Sequence, residues 1–320
     1  MPPLSYLPMT KLSIIVPCYF NEHNIPTTVS ELISNEAHFQ DELEFEYIFV
    51  DDGSGDGTLK ALLRAQTQYP DRIKVVELAS NVGSYNAIVA GMAYATGDCT
   101  AIITADLQDP PELLVQMYSY WQQGFRLVIG NRQDREETGA QKWLANLFHS
   151  MMKRFALPNI PPGGFDFVLF DRQVREQVLQ MQERNSNVFY LMTWLGHTYV
   201  NIPYVRRKRQ IGRSRWTLQK KVKLFIDSFL SFSFLPIRII SITGLVLGLS
   251  ALLYGVYIVF WRLANPNEPA GWTTLMVVML LVSAFQMTAL GIIGEYVWRG
   301  LDAARSRPLY VVKQVYNELP

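Results

Sequence analysis

The sequence is short of cysteine and histidine. Its two cysteines, Cys18 and Cys99, are too few for a disulfide framework and fit a reducing compartment. Its four histidines, His23, His38, His149 and His197, show no metal-ligand spacing, which argues against a histidine-built zinc centre. The N-terminus has no basic stretch followed by an apolar core, so no secretory signal is expected. Neither charge sign dominates: the net charge is +1, and no global basic field points to nucleic acid. Internal repeats and low-complexity tracts are absent.

Charge is missing altogether from residues 239–261 and 273–294. Each stretch reaches the roughly 20 residues that an α-helix needs to cross a bilayer. The intervening segment 262–272 holds one cation, Arg262. Lys220, Lys221, Lys223 and Arg238 precede the pair, and Arg299, Arg305 and Arg307 follow it. This asymmetry predicts a transmembrane hairpin with both termini in the cytoplasm. Trp261, Trp272 and Trp298 stand where interfacial anchors belong.

The remainder alternates strand and helix patterns. Leu12–Pro17, Phe45–Val50, Ile73–Leu78 and residues 100–105 read as strands. Ile25–Asn35, Thr58–Tyr69 and Tyr85–Ala95 read as helices. Such alternation predicts a mostly parallel α/β sheet with helices on both faces. Two further helical patterns mix cations with apolar residues, at about 141–157 and 218–234. The second reads as an interfacial helix lying on a membrane; the first is either that or a core-facing helix. The expected organisation is a catalytic domain over 1–235 carrying these two helices, a membrane hairpin over 236–298, and a cytoplasmic tail over 299–320.

Thr104-Ala105-Asp106-Leu107-Gln108-Asp109-Pro110-Pro111 carries the clearest chemistry. It follows the apolar run Ala101-Ile102-Ile103, so Asp106, Gln108 and Asp109 should emerge at the carboxyl end of a strand. Ligands of open α/β sheets bind there. Hard oxygen donors suit Mg²⁺ or Mn²⁺ holding a diphosphate. Asp51-Asp52-Gly53-Ser54-Gly55-Asp56-Gly57-Thr58 partly mimics a calcium loop, but Leu63 stands where the closing glutamate should be. Its glycines do not spell a dinucleotide fingerprint. Carboxylates repeated at strand ends suit a nucleotide whose base and ribose they bind. Residues 206–215 hold six cations and no acid. That run is either a phosphate-gathering segment or simply part of the positive-inside signal.

The order of these motifs resembles an inverting family 2 glycosyltransferase of GT-A fold. The residues that carry the resemblance are Ser13 to Glu22, Val50-Asp51-Asp52-Gly53-Ser54, Asn81-Val82-Gly83 and Ala105 to Glu112. Gly163 to Phe167, Asp171-Arg172 and Gly212 to Trp216 are similar to the polyisoprenyl-phosphate branch, which includes dolichol-phosphate mannose synthases and bactoprenol glucosyl transferases. The C-terminal helix pair and Arg307 to Val312 look most like the bacterial glucosyl transferases. The resemblance implies that Pro17, Tyr19 and Glu22 border the nucleotide base and that Asp51 or Asp52 binds its edge. It implies Asp106 and Gln108 as ligands of Mg²⁺ or Mn²⁺, with Arg132 at the donor phosphates or sugar. Asp166 is placed beside the reacting centre, and Arg209, Ser214 and Arg215 on the acceptor phosphate. The implied reaction moves glucose from UDP-glucose to undecaprenyl phosphate at the bacterial inner membrane, in a homo-oligomer of tetrameric type. GDP-mannose, UDP-galactose or a UDP-modified arabinose are alternative donors, and a non-catalytic membrane scaffold is the alternative class. A processive polysaccharide synthase is disfavoured because Gly212 replaces the glutamine of its Gln-x-x-Arg-Trp motif. The chain departs from the family pattern at Thr104, often Asp, at Arg215, usually Lys, and at Ser84, commonly Lys.

Overall fold

The computed structural model describes residues 9–40, 43–132, 150–154, 156–157, 160–161, 165–181, 183, 186–207, 227, 232–264 and 271–317. It divides into two units: Met1–Ser228 with Pro308–Pro320, and Phe229–Arg307.

The first unit is built on one eight-stranded sheet. Its strands are β1 (Thr10–Cys18), β2 (Leu43–Asp51), β3 (Ile73–Leu78), β4 (Cys99–Ile102), β5 (Leu127–Arg132), β6 (Phe167–Asp171), β7 (Tyr199–Tyr204) and β8 (Val312–Tyr316). The spatial order is β7-β5-β6-β4-β1-β2-β3-β8. β1 pairs in parallel with β2 and β4, β2 with β3, and β5 with β7. β6 runs antiparallel to both β4 and β5, and β8 antiparallel to β3. Six strands therefore point their carboxyl ends to one edge of the sheet.

Alternation along the strands sorts the core into two layers. Leu12, Ile14 and Val16 of β1 share one layer with Tyr47, Phe49, Ile73 and Val75. Helices α1 (Ile25–Asn35), α2 (Thr58–Gln68) and α4 (Leu113–Gln122) cover it through Val29, Leu32, Leu62, Leu114 and Met117. Ile15, Ile48, Val50 and Val76 face the other layer. There α3 (Ser84–Tyr94), α5 (Arg172–Leu179) and α6 (Val188–Trp194) supply Ala87, Ile88, Val174, Val178 and Phe189. The sheet is thus covered on both faces, as parallel strands require. α5 and α6 begin where Asp171 and Asn187 accept the amides of Gln173 and Phe189, each at 2.9 Å, satisfying a donor that the first helical turn leaves open.

α1 and β3 lie where the sequence pattern sets them, residue for residue. The expected strand 100–105 is shorter, because the chain turns after Ile102: the Leu107 amide donates to the Thr104 carbonyl at 3.1 Å, and Leu107 takes φ 48°. The segment expected as a tail contains β8, an edge strand of the sheet. Its Lys313 ammonium reaches Glu77 at 2.5 Å and its Tyr316 hydroxyl donates to the same carboxylate at 2.9 Å.

The second unit contains α7 (Leu235–Ala264) and α8 (Trp272–Ala304). Within them, Leu235–Ile258 and Leu275–Ala304 are long and apolar enough to cross a membrane, with mean hydropathies of 2.1 and 2.2. Their side chains are exposed, as in Leu252, Leu253, Leu280 and Leu281. This differs from a buried soluble helix pair. Gly244 of α7 faces the Phe285 ring of α8, and Tyr296 donates its hydroxyl to the Ser233 carbonyl at 3.0 Å. The helices expected at 141–157 and 218–234 lie mostly outside the described residues.

Candidate active site

The carboxyl edge of the sheet gathers the loops that follow β1, β2, β3 and β4, the end of β5, and residues 205–207 after β7. The short segment that leads into β6 joins them there. Pro17 lies near the end of the buried strand β1, Tyr19 and Glu22 follow it, and Phe20 and Glu22 meet the loop after β2. The Phe20 amide donates to Ser54 Oγ at 3.1 Å, and the Gly57 amide to Glu22 Oε2 at 3.0 Å. A Cβ on Gly57 would lie 2.3 Å from Glu22, so glycine is required for this contact. Tyr19 and Phe20 stand half-exposed, ring edge to ring face at 4.7 Å, with Phe20 in the left-handed region at φ 56°. Strained non-glycine backbone of this kind clusters at functional sites.

The two carboxylates that end β2 differ. Asp51 accepts a long bond of 3.4 Å from the Ser54 amide, and burial raises its pKa. Asp52 holds the loop after β3: Val82 and Gly83 donate their amides at 2.7 and 3.1 Å, and Asn81 Nδ2 donates at 2.9 Å. Gly83 sits at φ 87°, which a side chain would strain. Burial pushes Asp52 up to about 6, against those two amides, which favour its ionised form.

The loop after β4 carries Thr104, Asp106, Gln108 and Asp109. The Thr104 hydroxyl lies 2.9 Å from Asp106 Oδ1 and 3.1 Å from Asp109 Oδ2. Asp109 is fully buried and accepts the Tyr204 hydroxyl at 2.5 Å. Arg206 Nε stands 3.4 Å from the same carboxylate. Arg132 at the end of β5 pairs with Asp166 and donates from Nε to the Tyr204 oxygen at 3.3 Å. Burial and the neighbouring Asp166 raise the pKa of Asp109, while Tyr204, Arg206 and Arg132 oppose the rise.

The acidic loop is also joined to the start of the cationic run. Arg207 donates its amide to the Gln108 carbonyl at 2.8 Å, and Gln108 Nε2 returns to the Arg207 carbonyl at 3.4 Å. The Arg207 guanidinium is held by Glu31 at 3.0 Å and Glu112 at 2.8 Å. Arg209, Ser214 and Arg215 lie outside the described residues.

The structure therefore unites Asp106, Gln108, Arg132 and Asp166 in one cluster. It places Tyr19, Glu22, Asp51 and Asp52 along the same edge. Asp109, Tyr204 and Arg206 join the cluster. Asp109 stood among the oxygen donors of the acidic motif, and Arg206 opens the cationic run; Tyr204 carried no local signal. Among the described residues, no group of three or more His, Cys, Asp and Glu could hold a metal alone. Asp106 and Gln108 offer a carboxylate and an amide oxygen on one loop, hard donors of the type that Mg²⁺ or Mn²⁺ takes together with diphosphate oxygens and water.

Residues 13–179 match the profile of glycosyl transferase family 2. A Bacillus subtilis (strain 168) protein named uncharacterized glycosyltransferase YkcC is 35% identical over 306 residues, 95% of this chain and 94% of its own. The prophage bactoprenol glucosyl transferase homolog of Escherichia coli (strain K12) is 31% identical over 309 residues, 95% of this chain and 99% of its own. Among solved structures, mannosyl-3-phosphoglycerate synthase from Rubrobacter xylanophilus aligns with a TM-score of 0.48 at 17% identity, covering 68% of this chain and 71% of that one.

Proposed function

Because the chain belongs to glycosyl transferase family 2 and has its GT-A fold, we propose that this glycosyltransferase moves a sugar, glucose from UDP-glucose in the first instance, onto a polyprenyl phosphate. The observation that carries the acceptor is similarity over nearly the full length to a bactoprenol glucosyl transferase homolog, the two apolar helices included. The product would be an inverted sugar–phosphate–lipid on the cytoplasmic leaflet.

In this reading Tyr19 and Asp51 border the base, and Asp52 shapes the nucleotide pocket through the loop at residues 81–83. Pro17 and Glu22 complete the rim of the pocket. Asp106 and Gln108 would hold the divalent ion, which offsets charge on the departing diphosphate as a Lewis acid. Arg132 approaches the donor. Arg209, Ser214 and Arg215 bind the acceptor phosphate. That phosphate is mostly dianionic at neutral pH, with a second pKa of about 6, so it attacks without a strong general base. Asp166, already paired with Arg132, then orients rather than abstracts.

Membrane topology has support from connectivity as well as charge. β8 follows both apolar helices yet pairs with β3 in the catalytic sheet. Both ends of the helix pair therefore lead to one folded unit, which requires an even number of crossings.

The deciding experiment pairs radiolabelled nucleotide sugars with undecaprenyl phosphate and the full chain in detergent. Label should enter the lipid fraction from UDP-glucose; entry from another donor reassigns the sugar, and entry from none refutes the acceptor. Arg209→Ala and Arg215→Ala are expected to raise the acceptor KM about tenfold or more, as lost charged hydrogen bonds do, and the donor KM far less. A selective donor defect would move these residues to the diphosphate.

Asp52 predicts a pH effect. Protonation removes an acceptor oxygen from the loop at 81–83, so the donor KM should rise as pH falls through about 6. Asp52→Asn should raise KM at every pH and flatten the profile. Stability moves the opposite way. An unfolded aspartate titrates near 3.9, so the folded chain holds this proton more tightly. The Asp52 contribution to stability is greatest below about pH 4 and is lost as pH rises through 6. Weak donor binding at pH 5 should therefore not be accompanied by unfolding at this residue.

A further inference from the structure

Among the described residues, two buried polar atoms in the cluster have no hydrogen bond: Nε of Arg206 and Oδ1 of Asp166. Each side chain has ionic partners. Asp166 Oδ2 pairs with Arg132 and lies 4.0 Å from the Arg206 guanidinium. Arg206 Nε is 3.4 Å from Asp109, near enough for attraction but misaligned for a hydrogen bond. Asp109 is already engaged by Tyr204. An open donor and an open acceptor thus belong to one cluster, formed by the loop after β4, the end of β5, the residue before β6 and the residues that follow β7. The two open atoms are buried, while the side chains that carry them are 27% and 34% exposed.

The pair restricts what can occupy the gap. Around the two open atoms, Asp109 and Asp166 already face Arg132 and Arg206, so these four side chains carry no net charge to neutralise. A phosphate would accept from Arg206 but has no proton for Asp166 and would set a second anion beside it. A cation would suit Asp166 but would meet both guanidinium groups. A hydroxyl is donor and acceptor at once, and it is neutral.

We propose that Arg206 and Asp166 read one hydroxyl of the sugar being transferred. Arg206 Nε donates to the hydroxyl oxygen, and the hydroxyl donates to Asp166 Oδ1. This rests on the reading of the edge as a nucleotide-sugar site, and it makes Arg206 a specificity-determining residue. A donor lacking that hydroxyl leaves both atoms unsatisfied, and polar sites discriminate strongly on that ground.

Equilibrium binding tests it on the full chain in detergent with Mg²⁺, without acceptor, so a wrong acceptor leaves the result readable. The probes are UDP, UDP-glucose and the monodeoxy forms of UDP-glucose, or the matching set for another donor selected by the transfer panel. One deoxy form should bind the native chain about tenfold or more weakly than the parent sugar. Arg206→Met should weaken the parent by a similar factor, weaken that deoxy form little further, and leave UDP within about twofold. Asp166→Asn should show the same pattern, and retained UDP binding certifies the fold of each variant. Equal binding of every deoxy form by the native chain would overturn the proposal, whether or not the variants fold. Equal loss of UDP and UDP-glucose in Arg206→Met would overturn it too, by placing Arg206 on the diphosphate.

Discussion

Asp106→Ala is expected to lower sugar transfer by about a thousandfold or more while the fold survives. The residue is half-exposed on a loop, and its removal opens no core cavity. Its carboxylate is the one negative group among the residues proposed for the divalent ion. Without it, charge on the leaving diphosphate loses a stabilisation of several kcal/mol, at about 1.4 kcal/mol per factor of ten. Single-turnover transfer measures the rate, and Mn²⁺-dependent UDP binding measures the site without chemistry. Both should fall together. Near-normal transfer by a folded, metal-washed variant would remove Asp106 from the mechanism.

Asp109→Ala is expected to act on stability first. The carboxylate is fully buried, and its loss strips partners from Tyr204, Thr104 and Arg206 together. Breaking a buried pair from one side costs about 3–5 kcal/mol. Arg206 is partly exposed and retains Asp166, so the lower end, about 3 kcal/mol, is expected. In a unit of this size, that corresponds to a fall of about 6–12 °C in the unfolding midpoint. Asp109→Asn keeps one acceptor oxygen but turns an NH₂ toward the other donors, so it should fall between native and Asp109→Ala. A midpoint unchanged in the alanine variant would mean that the buried cluster contributes nothing to the fold.

Much of this arrangement was legible in the sequence because it is local. β1 to β3 are apolar runs bounded by Pro17, Gly53 and the Ser80–Gly83 segment, and α1 repeats buried residues at helical spacing. The acidic loop announces itself because its oxygen donors lie within a few residues of one strand end. What the sequence did not disclose depends on distance along the chain. Tyr204 meets Asp109 across 95 residues, and nothing in Tyr-Val-Arg-Arg marks it as a partner. The division of labour between Asp51 and Asp52 is a matter of side-chain direction, which two adjacent aspartates cannot reveal. β8 was obscured by composition: Val-Lys-Gln-Val-Tyr is short and half polar, as an edge strand permits. Strand β6 runs against its neighbours, and apolar content alone does not encode direction.

The position of β8 sets the order in which the enzyme can be completed during synthesis. Translation proceeds from the N-terminus, so β1 to β7 are made before α7 and α8, and β8 comes last. Until residues 312–316 emerge, β3 is an unprotected border with its backbone groups open to pairing with another nascent chain. Lys313 and Tyr316 then close on Glu77, whose register partner in β2 is Asp51. Synthesis of β8 thus seals the strand next to the carboxyl edge of the sheet. By then the polypeptide already carries both apolar helices, so the catalytic sheet of the transferase is closed only after the helix pair has been synthesised.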